Sequence, residues 1–217
     1  KTGTDFVKET KKALSDLNVC AKKGLSETFD STIGARSVYM PWGGRNQLTP
    51  AIAMAAKICG GETDVCTVSA YGYSPYLMET SPFVGAIYSI VASVSKVVAT
   101  GARYEDIRLT LQEFFERMTS DKKVWGVPAS ALLGAVYAQI GLSLGAIGGK
   151  DSMSGSFEHI HVPPPLISFA LAPAKASRLI SNVLKGGEKV WRLPVPKDGQ
   201  YVPDFEKLKA LYREVYK

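Results

Sequence analysis

The chain has 217 residues, of which 46% are hydrophobic and 21% are charged, close to the average of globular proteins. This composition excludes intrinsic disorder, collagen and a long coiled coil, and the length allows one large domain or one domain with part of a second. The net charge is +6, but the basic residues crowd the N-terminus or alternate with acids, without an arginine-rich strip carrying aromatics. We therefore expect no nucleic-acid partner.

The N-terminal part of the chain has only weak structural signals. Residues 5–14 are predicted to form a short polar helix, and residues 15–34 a linker, because the latter show no clear periodicity. Residues 35–42 are predicted to form a strand with Val38 and Met40 on one face, which the following two glycines end.

Residues 51–58 are compatible with either a helix or a strand. A helix would begin after Thr49 and Pro50. We favour a strand, because its apolar residues alternate and would form a buried face of Ile52, Met54, Ala56 and Ile58. Residues 65–71 are a second strand candidate, since glycines and a proline bound that segment.

The best-defined predicted helix covers residues 81–101. Ser81 is an N-cap residue, Pro82 follows at the first helical position, and Gly101 stands where a C-terminal cap belongs. Apolar residues cover more than one face, so we expect this helix to lie between a sheet and another surface. Serines and Lys96 interrupt the apolar run, which favours a buried helix over a membrane span.

The second half of the chain alternates predicted strands with one long helix. A half-buried strand is predicted at residues 107–111, an apolar helix opened by a proline at residues 128–142, and short strands at residues 145–147 and 157–162.

Three consecutive prolines at residues 163–165 can continue neither a helix nor a central strand. After them we predict a strand at 166–171, a helix at 173–184, a strand at 189–193 and a helix at 203–216. This order is typical of the start of an α/β domain. The chain begins with Lys1 and ends within a helical pattern, so we expect it to be a piece of a longer polypeptide.

Residues 148–155 form the most informative loop. Two glycines, a lysine, an acid and hydroxyls follow a predicted strand directly, and the backbone N–H groups with Lys150 could hold a phosphate, with Asp151 as an acceptor or metal ligand. The spacing is not that of a P-loop. A tight turn with a solvated lysine and aspartate is an equal alternative.

Three other polar groups each have a functional and a structural interpretation. His159 and His161 alternate and would share one strand face, as a metal site requires, although surface histidines are commoner. Asp64 could bind Mg²⁺ or cap a backbone N–H. The loop at residues 42–50, around Arg45, could recognise an anion or form an exposed hairpin.

The acids around the strand predicted at residues 107–111 are interpreted structurally. We predict that Glu105, Asp106, Glu113 and Glu116 are the solvated rim of that strand, or surface acids that pair with Arg108 and Arg117, rather than a general acid–base pair.

The three cysteines form no CxxC pair, so we expect free thiols and no zinc site. Free thiols are typical of a reducing compartment, so we expect a cytoplasmic protein.

Several motifs occur together: GLSETFDSTIG at residues 24–34, GGRNQLTP at 43–50, YSPY and SPF at 73–76 and 81–83, and IGGKDSMSGSFE at 147–158. Together they resemble phosphoribosylformylglycinamidine synthase over most of the chain, and GGKDSMS is the most specific of them.

The resemblance implies an α+β fold in which two long apolar helices pack on a mixed sheet, like the N-terminal domain of aminoimidazole ribonucleotide synthetase. The family contains two copies of this unit, and the chain resembles the N-terminal domain of the second. Residues 1–44 would then be a linker and the edge of a preceding domain, residues 45–163 that N-terminal domain, and residues 164–217 the truncated start of the α/β C-terminal domain.

The family is a purine-biosynthetic ligase and amidotransferase that converts formylglycinamide ribonucleotide to formylglycinamidine ribonucleotide with ATP and glutamine. The resemblance implies that this fragment supplies part of the synthetase site and a pseudo-dimer interface. It would be inactive alone, because the family's catalytic histidine and glutaminase cysteine match no residue here. The alternative is a non-catalytic nucleotide-binding or scaffold module with the same fold.

The resemblance also assigns site residues. The predicted substrate or nucleotide contacts are Gly149, Lys150, Asp151 and Ser152. Asp64 matches a metal-ligand position of a second site that holds ADP and Mg²⁺ in many relatives. Ala92 and Lys96 stand where relatives have other residues, so a full metal cluster is not expected.

The expected partners are the remaining synthetase and glutaminase domains of a parent chain, and a second copy of the fragment, since the isolated domain would expose its pseudo-dimer interface. No membrane partner is expected.

Overall fold

The computed structural model describes residues 5–17, 19–28, 33–181, 183–184, 186–199 and 201–217. The helices are α1 (Phe6–Ser15), α2 (Lys23–Ser26), α3 (Pro75–Thr80), α4 (Pro82–Ala99), α5 (Lys122–Leu142) and α6 (Phe205–Tyr216). The strands are β1 (Trp42–Gly43), β2 (Thr49–Pro50), β3 (Met54–Lys57), β4 (Val65–Gly72), β5 (Arg108–Glu113), β6 (Ala146–Lys150), β7 (Ser156–Phe157), β8 (Ile160–His161) and β9 (Leu166–Lys175). Short 3-10 helices lie at Ile33–Ala35, Tyr104–Asp106 and Ala176–Arg178.

The centre of the fold is a five-stranded mixed sheet with the order β3-β4-β9-β5-β6. Its neighbouring strands are antiparallel except for β5 and β6, which are parallel and joined through α5. The hairpins β1-β2 and β7-β8 form two further small sheets. The α+β class predicted from the sequence, a mixed sheet with two long apolar helices, is confirmed.

Helix α4 packs along β4 and β9 and also contacts α5 and α6. The helix lies close to the sheet because Gly72 has no side chain: a Cβ there would lie 2.0 Å from the Ser89 carbonyl oxygen. The hydroxyls of Ser93 and Ser168 share a buried hydrogen bond of 2.9 Å across the same contact. The prediction that this helix lies between a sheet and another surface is confirmed.

Two helices, α4 and α5, are long and apolar enough to cross a membrane when length and composition alone are considered. The core helix of a globular protein passes the same test. Most of α4 is buried within the fold, whereas α5 keeps an exposed apolar face that includes Leu133 and Ile140.

Helix α5 begins earlier than the sequence predicted. The prediction placed its start at Pro128, but the helix begins at Lys122, where the Asp121 side chain accepts a hydrogen bond from the Lys123 N–H. Pro128 lies inside the helix. A proline marks a helix start only when no better cap precedes it, and Asp121 supplies that cap.

The N-terminal predictions are confirmed in part. α1 is capped by Asp5 and follows the predicted bounds closely. The strand predicted at residues 35–42 is wrong: Ser37 makes only an isolated bridge to Ala56, and β1 begins at Trp42. Residues 1–4, 18 and 29–32 of the predicted linker, including part of the motif at 24–34, lie outside the described residues.

Strand β3 lies within the segment predicted as a strand, but the predicted buried face is wrong. Ala53 and Ala55 are buried, whereas Met54 is 52% exposed and Ile58 is 55% exposed. The smaller residues, Ala53 and Ala55, belong to the buried core on the face of the sheet that the long helices cover. The larger alternating residues therefore lie on the opposite face of the sheet, which the helices do not cover.

The elements predicted after residue 165 differ most from the structure. β9 continues to Lys175 and lies in the middle of the sheet, paired with β4 on one side and β5 on the other. The helix predicted at 173–184 is wrong in the described residues: residues 173–175 belong to β9 and the 3-10 helix Ala176–Arg178 follows, while residue 182 is outside them. The strand predicted at 189–193 is also wrong, because those described residues form no strand. α6 is confirmed.

The position of β9 bears on the predicted division of the chain. Residues 166–175 complete the sheet that residues 54–113 begin, so the proline run does not separate two sheets. The three-part division at 44 and 163 stays a prediction.

Candidate functional site

The loop at residues 148–155 begins as a strand. Gly149 pairs with Leu111 and Lys150 with Gln112, so the first loop residues belong to β6. A Cβ at Gly149 would lie 2.5 Å from the Leu111 carbonyl oxygen, whereas one at Gly148 would meet nothing within 4 Å. Gly149 is therefore required for the close approach of two strands, a structural reason that the sequence did not reveal.

Backbone pairing continues beyond the end of β6. The Ser152 N–H donates to the Glu113 carbonyl oxygen (3.2 Å), and the Phe115 N–H donates to the Ser152 carbonyl oxygen (2.9 Å). The Gly155 N–H then donates to the Phe115 carbonyl oxygen (2.8 Å). Because this pairing extends the parallel ladder, consecutive loop side chains are expected to point to opposite faces of the sheet.

Lys150 is exposed, and its Nζ lies 6.0 Å from the centre of the Phe114 ring. Lys150 forms no salt bridge with any residue that the structure describes. It therefore offers a cation with free donors to a ligand.

Asp151 is exposed and lies close to Glu113, which is 6% exposed. Burial raises the pKa of Glu113, and the nearby Asp151 carboxylate raises it further. The interpretation of Glu113 as a surface acid paired with Arg108 or Arg117 is wrong, because its side chain is buried. Arg108 donates instead to the carbonyl oxygens of Glu105 and Ile107.

Ser152 contributes a second polar group at this position. Its Oγ is buried and has no hydrogen-bond partner among the described residues. The predicted ligand-binding residues therefore have different surroundings. Lys150 is a free cation next to an aromatic ring, while Asp151 lies beside a buried acid.

Asp64 lies at the far end of the sheet from this loop. β9 pairs with Glu113 through Leu166 and with Val65 through Lys175, so the two sites lie at opposite ends of β9. At about 3.3 Å per residue, this ten-residue strand separates them by roughly 30 Å. Asp64 and the loop do not form one site within this chain.

The Asp64 carboxylate already has partners. It accepts hydrogen bonds from the Ser177 N–H (2.9 Å) and from the Ser177 hydroxyl (2.8 Å). The described residues contain no group of three or more His, Cys, Asp or Glu side chains placed to hold a metal ion. These residues do not fit a Mg²⁺ site, and the contacts favour the capping alternative; the metal role stays a prediction from the resemblance.

Replacing Ser177 by alanine is expected to raise the pKa of Asp64 towards its ordinary value. The Ser177 hydroxyl and N–H are the main reasons that the pKa of Asp64 is lowered. A lowered pKa stabilises the fold above the unfolded-state pKa, and this contribution is lost as the pH falls through the folded-state value. Carboxyl-carbon NMR titration measures the change, with Ser181→Ala as the control. An unchanged pKa in Ser177→Ala would contradict the capping role.

Lys96, on the face of α4 next to β4, is also satisfied within the chain. Its Nζ donates to the Tyr71 carbonyl oxygen (2.8 Å) and lies 4.4 Å from the centre of the Tyr71 ring. Burial lowers the pKa of Lys96. Ala92 lies near Gly72 on the same side of the helix. Neither residue offers an oxygen ligand to a cation.

The two histidines do not share a strand face. The strand predicted at residues 157–162 is a hairpin, and His159 lies in its turn while His161 lies in β8. His161 Nδ1 lies 3.0 Å from a Glu116 carboxylate oxygen and 3.0 Å from the Ser156 hydroxyl. His161 therefore holds the hairpin against the segment that precedes α5.

The loop at residues 42–50 forms the β1-β2 hairpin, with Arg45 exposed near its tip. Beside it lies a cleft of about 670 Å³, whose aromatic lining includes Tyr39, Trp42, Tyr71 and Phe169. The Trp42 Nε1 is buried without a partner among the described residues. Sequence reasoning missed this cleft because its walls come from segments far apart in the chain.

Solved structures share the α+β fold of this chain. PurLQS from Thermotoga maritima is 15% identical, with a TM-score of 0.67, over 91% of this chain and 30% of that chain. T. maritima PurL complexed with FGAR is 17% identical, with a TM-score of 0.62, over 91% and 29%. Phosphoribosylformylglycinamidine synthase II from T. maritima is 13% identical, with a TM-score of 0.58, over 82% and 28%.

These likenesses establish the fold, which is the one that the motif resemblance implied. The chain spans about 30% of the length of the structures that it matches. No protein-family model and no curated protein matches the chain.

Proposed function

We propose that this chain is part of a phosphoribosylformylglycinamidine synthase, in which it forms one wall of the synthetase site. The observation that supports this most is the shared fold over 91% of the chain, together with the GGKDSMS sequence at the ends of β5 and β6. The carboxyl ends of parallel strands are where open sheets commonly bind ligands. The parent enzyme would be the ATP- and glutamine-dependent ligase that makes formylglycinamidine ribonucleotide.

In this proposal the loop positions a phosphorylated ligand and does not catalyse the reaction. Lys150 supplies a free ammonium group, and the backbone hydrogen bonds of Ser152 hold the loop to β5, so little flexibility is lost on binding. The activating and ammonia-producing groups would lie in other domains, and the isolated chain would be inactive. T. maritima PurL structures complexed with ADP, ATP and AMPPCP support nucleotide binding for the proposed family.

Replacing Lys150 by methionine is expected to weaken binding of formylglycinamide ribonucleotide to the chain about tenfold, because a charged hydrogen bond to phosphate is lost. Calorimetric titration measures this, and Lys122→Met, an exposed lysine at the start of α5, is the control. Equal affinities of both variants would contradict the proposed role of the loop.

A non-catalytic nucleotide-binding or scaffold module with the same fold is the second candidate. The observation that favours it is the hydrogen bond between Lys96 and the Tyr71 carbonyl oxygen, because the resemblance would require a metal ligand at this position and Lys96 carries an ammonium group. The same titration with ADP, with and without Mg²⁺, separates the candidates. Binding of ADP but not of formylglycinamide ribonucleotide would favour the module, and binding of neither would exclude a nucleotide role for the isolated chain.

The partners belong to the same proposal. We propose that the chain contacts the remaining synthetase and glutaminase domains, and that in their absence it associates with a second copy. Exposed apolar residues on the uncovered sheet face, including Met54 and Tyr71, support the second point. A cytoplasmic location follows from the proposed activity.

A further inference from the structure

Helix α5 has a broad apolar face in contact with water. Six large side chains of this face are 45–74% exposed: Trp125, Leu132, Leu133, Val136, Tyr137 and Ile140. They recur at helical spacing and therefore lie on one side of the helix, while Ala131, Ala135 and Ala138 on the other side belong to the core. The sequence has no charged residue from Val124 to Gly149, so no charge interrupts this face.

The extent of the α5 face is that of a protein–protein interface. Its six side chains expose roughly 600 Å², most of the about 800 Å² that each partner buries in a stable interface. This is the upper end of what monomeric proteins expose as one patch. A helix that lies on a membrane surface has a charged side opposite its apolar one, whereas the other side of α5 packs on α4. An apolar protein surface is therefore the better partner, and α5 of a second copy supplies one.

The charges at the ends of α5 favour one orientation of a second copy. Lys122 and Lys123 begin the helix, and apart from the cap residue Asp121 no acid lies near its first turn. The last turn holds no base. The helix dipole favours the opposite arrangement, because positive charge is stabilising near a helix C-terminus. An antiparallel α5 of a second copy would place the lysines of each helix near the C-terminal end of the other.

The shape of the face fits the same orientation. A hollow of about 290 Å³ at the C-terminal end of α5 is lined by residues in the range 136–145. Near the other end, Trp125 Nε1 donates to the Thr119 carbonyl oxygen (2.8 Å), and the side chain is 54% exposed. Trp125 and the hollow each lie about eight residues from Leu133, or about 12 Å along the helix. A twofold axis near Leu133 therefore places Trp125 of each copy at the hollow of the other.

We propose that two copies of this chain associate through antiparallel α5 helices, with the axis near Leu133 and Trp125 of each copy in the hollow of the other. Tryptophans in such pockets commonly dominate the binding energy of an interface. The α5 face lies on the helix side of the sheet, whereas Met54 lies on the uncovered side, so this interface is separate from the association proposed above. It does not depend on the proposed synthetase function.

Sedimentation velocity of the 217-residue chain without ligand tests the proposal. We expect dimers at concentrations on the order of 10 μM. Trp125→Ala is expected to weaken dimerisation about tenfold or more, because it removes the side chain that fills the hollow. Leu133→Glu is expected to weaken it at least as much, because it brings two carboxylates together near the axis. Trp191→Ala truncates a tryptophan that is 77% exposed elsewhere in the chain, and this control should dimerise like the unmodified chain.

Four results would each overturn the proposal: a strictly monomeric chain at ten times that concentration, unchanged dimerisation in Leu133→Glu, loss of the dimer only in Met54→Lys, which alters the uncovered sheet face, or binding of a monomeric chain to phosphatidylserine vesicles. Circular dichroism establishes that the variants fold, and Ile140→Glu, at a position that is 74% exposed, repeats the test if Leu133→Glu does not fold. Failure of formylglycinamide ribonucleotide binding would leave these results unaffected.

Discussion

Gly134→Ala in α5 is expected to lower the free energy of unfolding by roughly 3 kcal/mol, the upper part of the usual range for overpacking a core. A Cβ at this position would lie 2.1 Å from the carbonyl oxygen of Phe83 at the start of α4. The contacting atom belongs to the backbone of α4 and cannot rotate away as a side chain can. Helices α4 and α5 would therefore have to separate. Urea denaturation followed by circular dichroism measures the change.

Gly126 in the same helix is the matched control. A Cβ there would meet nothing within 4 Å. Gly126→Ala is therefore expected to increase the free energy of unfolding by about 0.5–1 kcal/mol, because alanine has the better helix propensity. Changes of the same sign in both variants would show that the α4–α5 contact does not limit the size of residue 134.

Phe115→Ala is expected to lower the free energy of unfolding by roughly 3–5 kcal/mol, as is usual when a buried phenylalanine is truncated. Phe115 is 1% exposed, and its backbone N–H and carbonyl hold the loop at residues 152–155. Because the backbone of the same residue holds the loop, increased hydrogen exchange at the Gly155 amide should accompany the loss of stability.

Phe114, its neighbour in the sequence, is the control. It is 36% exposed and lies beside Lys150. Phe114→Ala is expected to cost about 1 kcal/mol or less, because the ring is partly in water in the folded state. A larger loss in Phe114→Ala than in Phe115→Ala would mean that the wrong ring has been assigned to the core.

The elements that could be predicted from the sequence are those specified by local signals. Ser81 and Pro82 determine the start of α4, and the Ser81 side chain accepts a hydrogen bond from the Val84 N–H as a cap does. The apolar residues of α4 cover several faces because the helix has neighbours on more than one side. Local chemistry is enough for such elements.

The elements that were missed depend on partners distant in the chain. Pro173 was taken as a helix start, but it lies in β9 opposite Thr67, in a register that a local pattern cannot show. The face of β3 was inverted because alternation alone does not reveal which side a helix will cover. The small side chains of Ala53 and Ala55 could have indicated the buried face. The prediction chose the other face because its residues are larger and more hydrophobic.

The candidate site was predicted only in part. Sequence reasoning placed Lys150 and Asp151 in a ligand loop, a role that stays a prediction, but it could not show that Gly149 is needed for strand pairing. Glu113 was misinterpreted because its sequence neighbours include charged residues, whereas its burial comes from its place at the end of β5. Burial of an acid is decided by tertiary packing, which charge patterns do not encode.

The central position of β9 has a consequence for synthesis of the chain. Before residues 166–175 leave the ribosome, β3-β4 and β5-β6 exist only as separate strand pairs, because β9 is what joins them. Two-stranded pieces are marginally stable on their own. The order of strands in the sheet therefore delays folding of the whole unit until its last strand is made, and during that interval α4 and α5 have apolar surfaces that a chaperone could recognise.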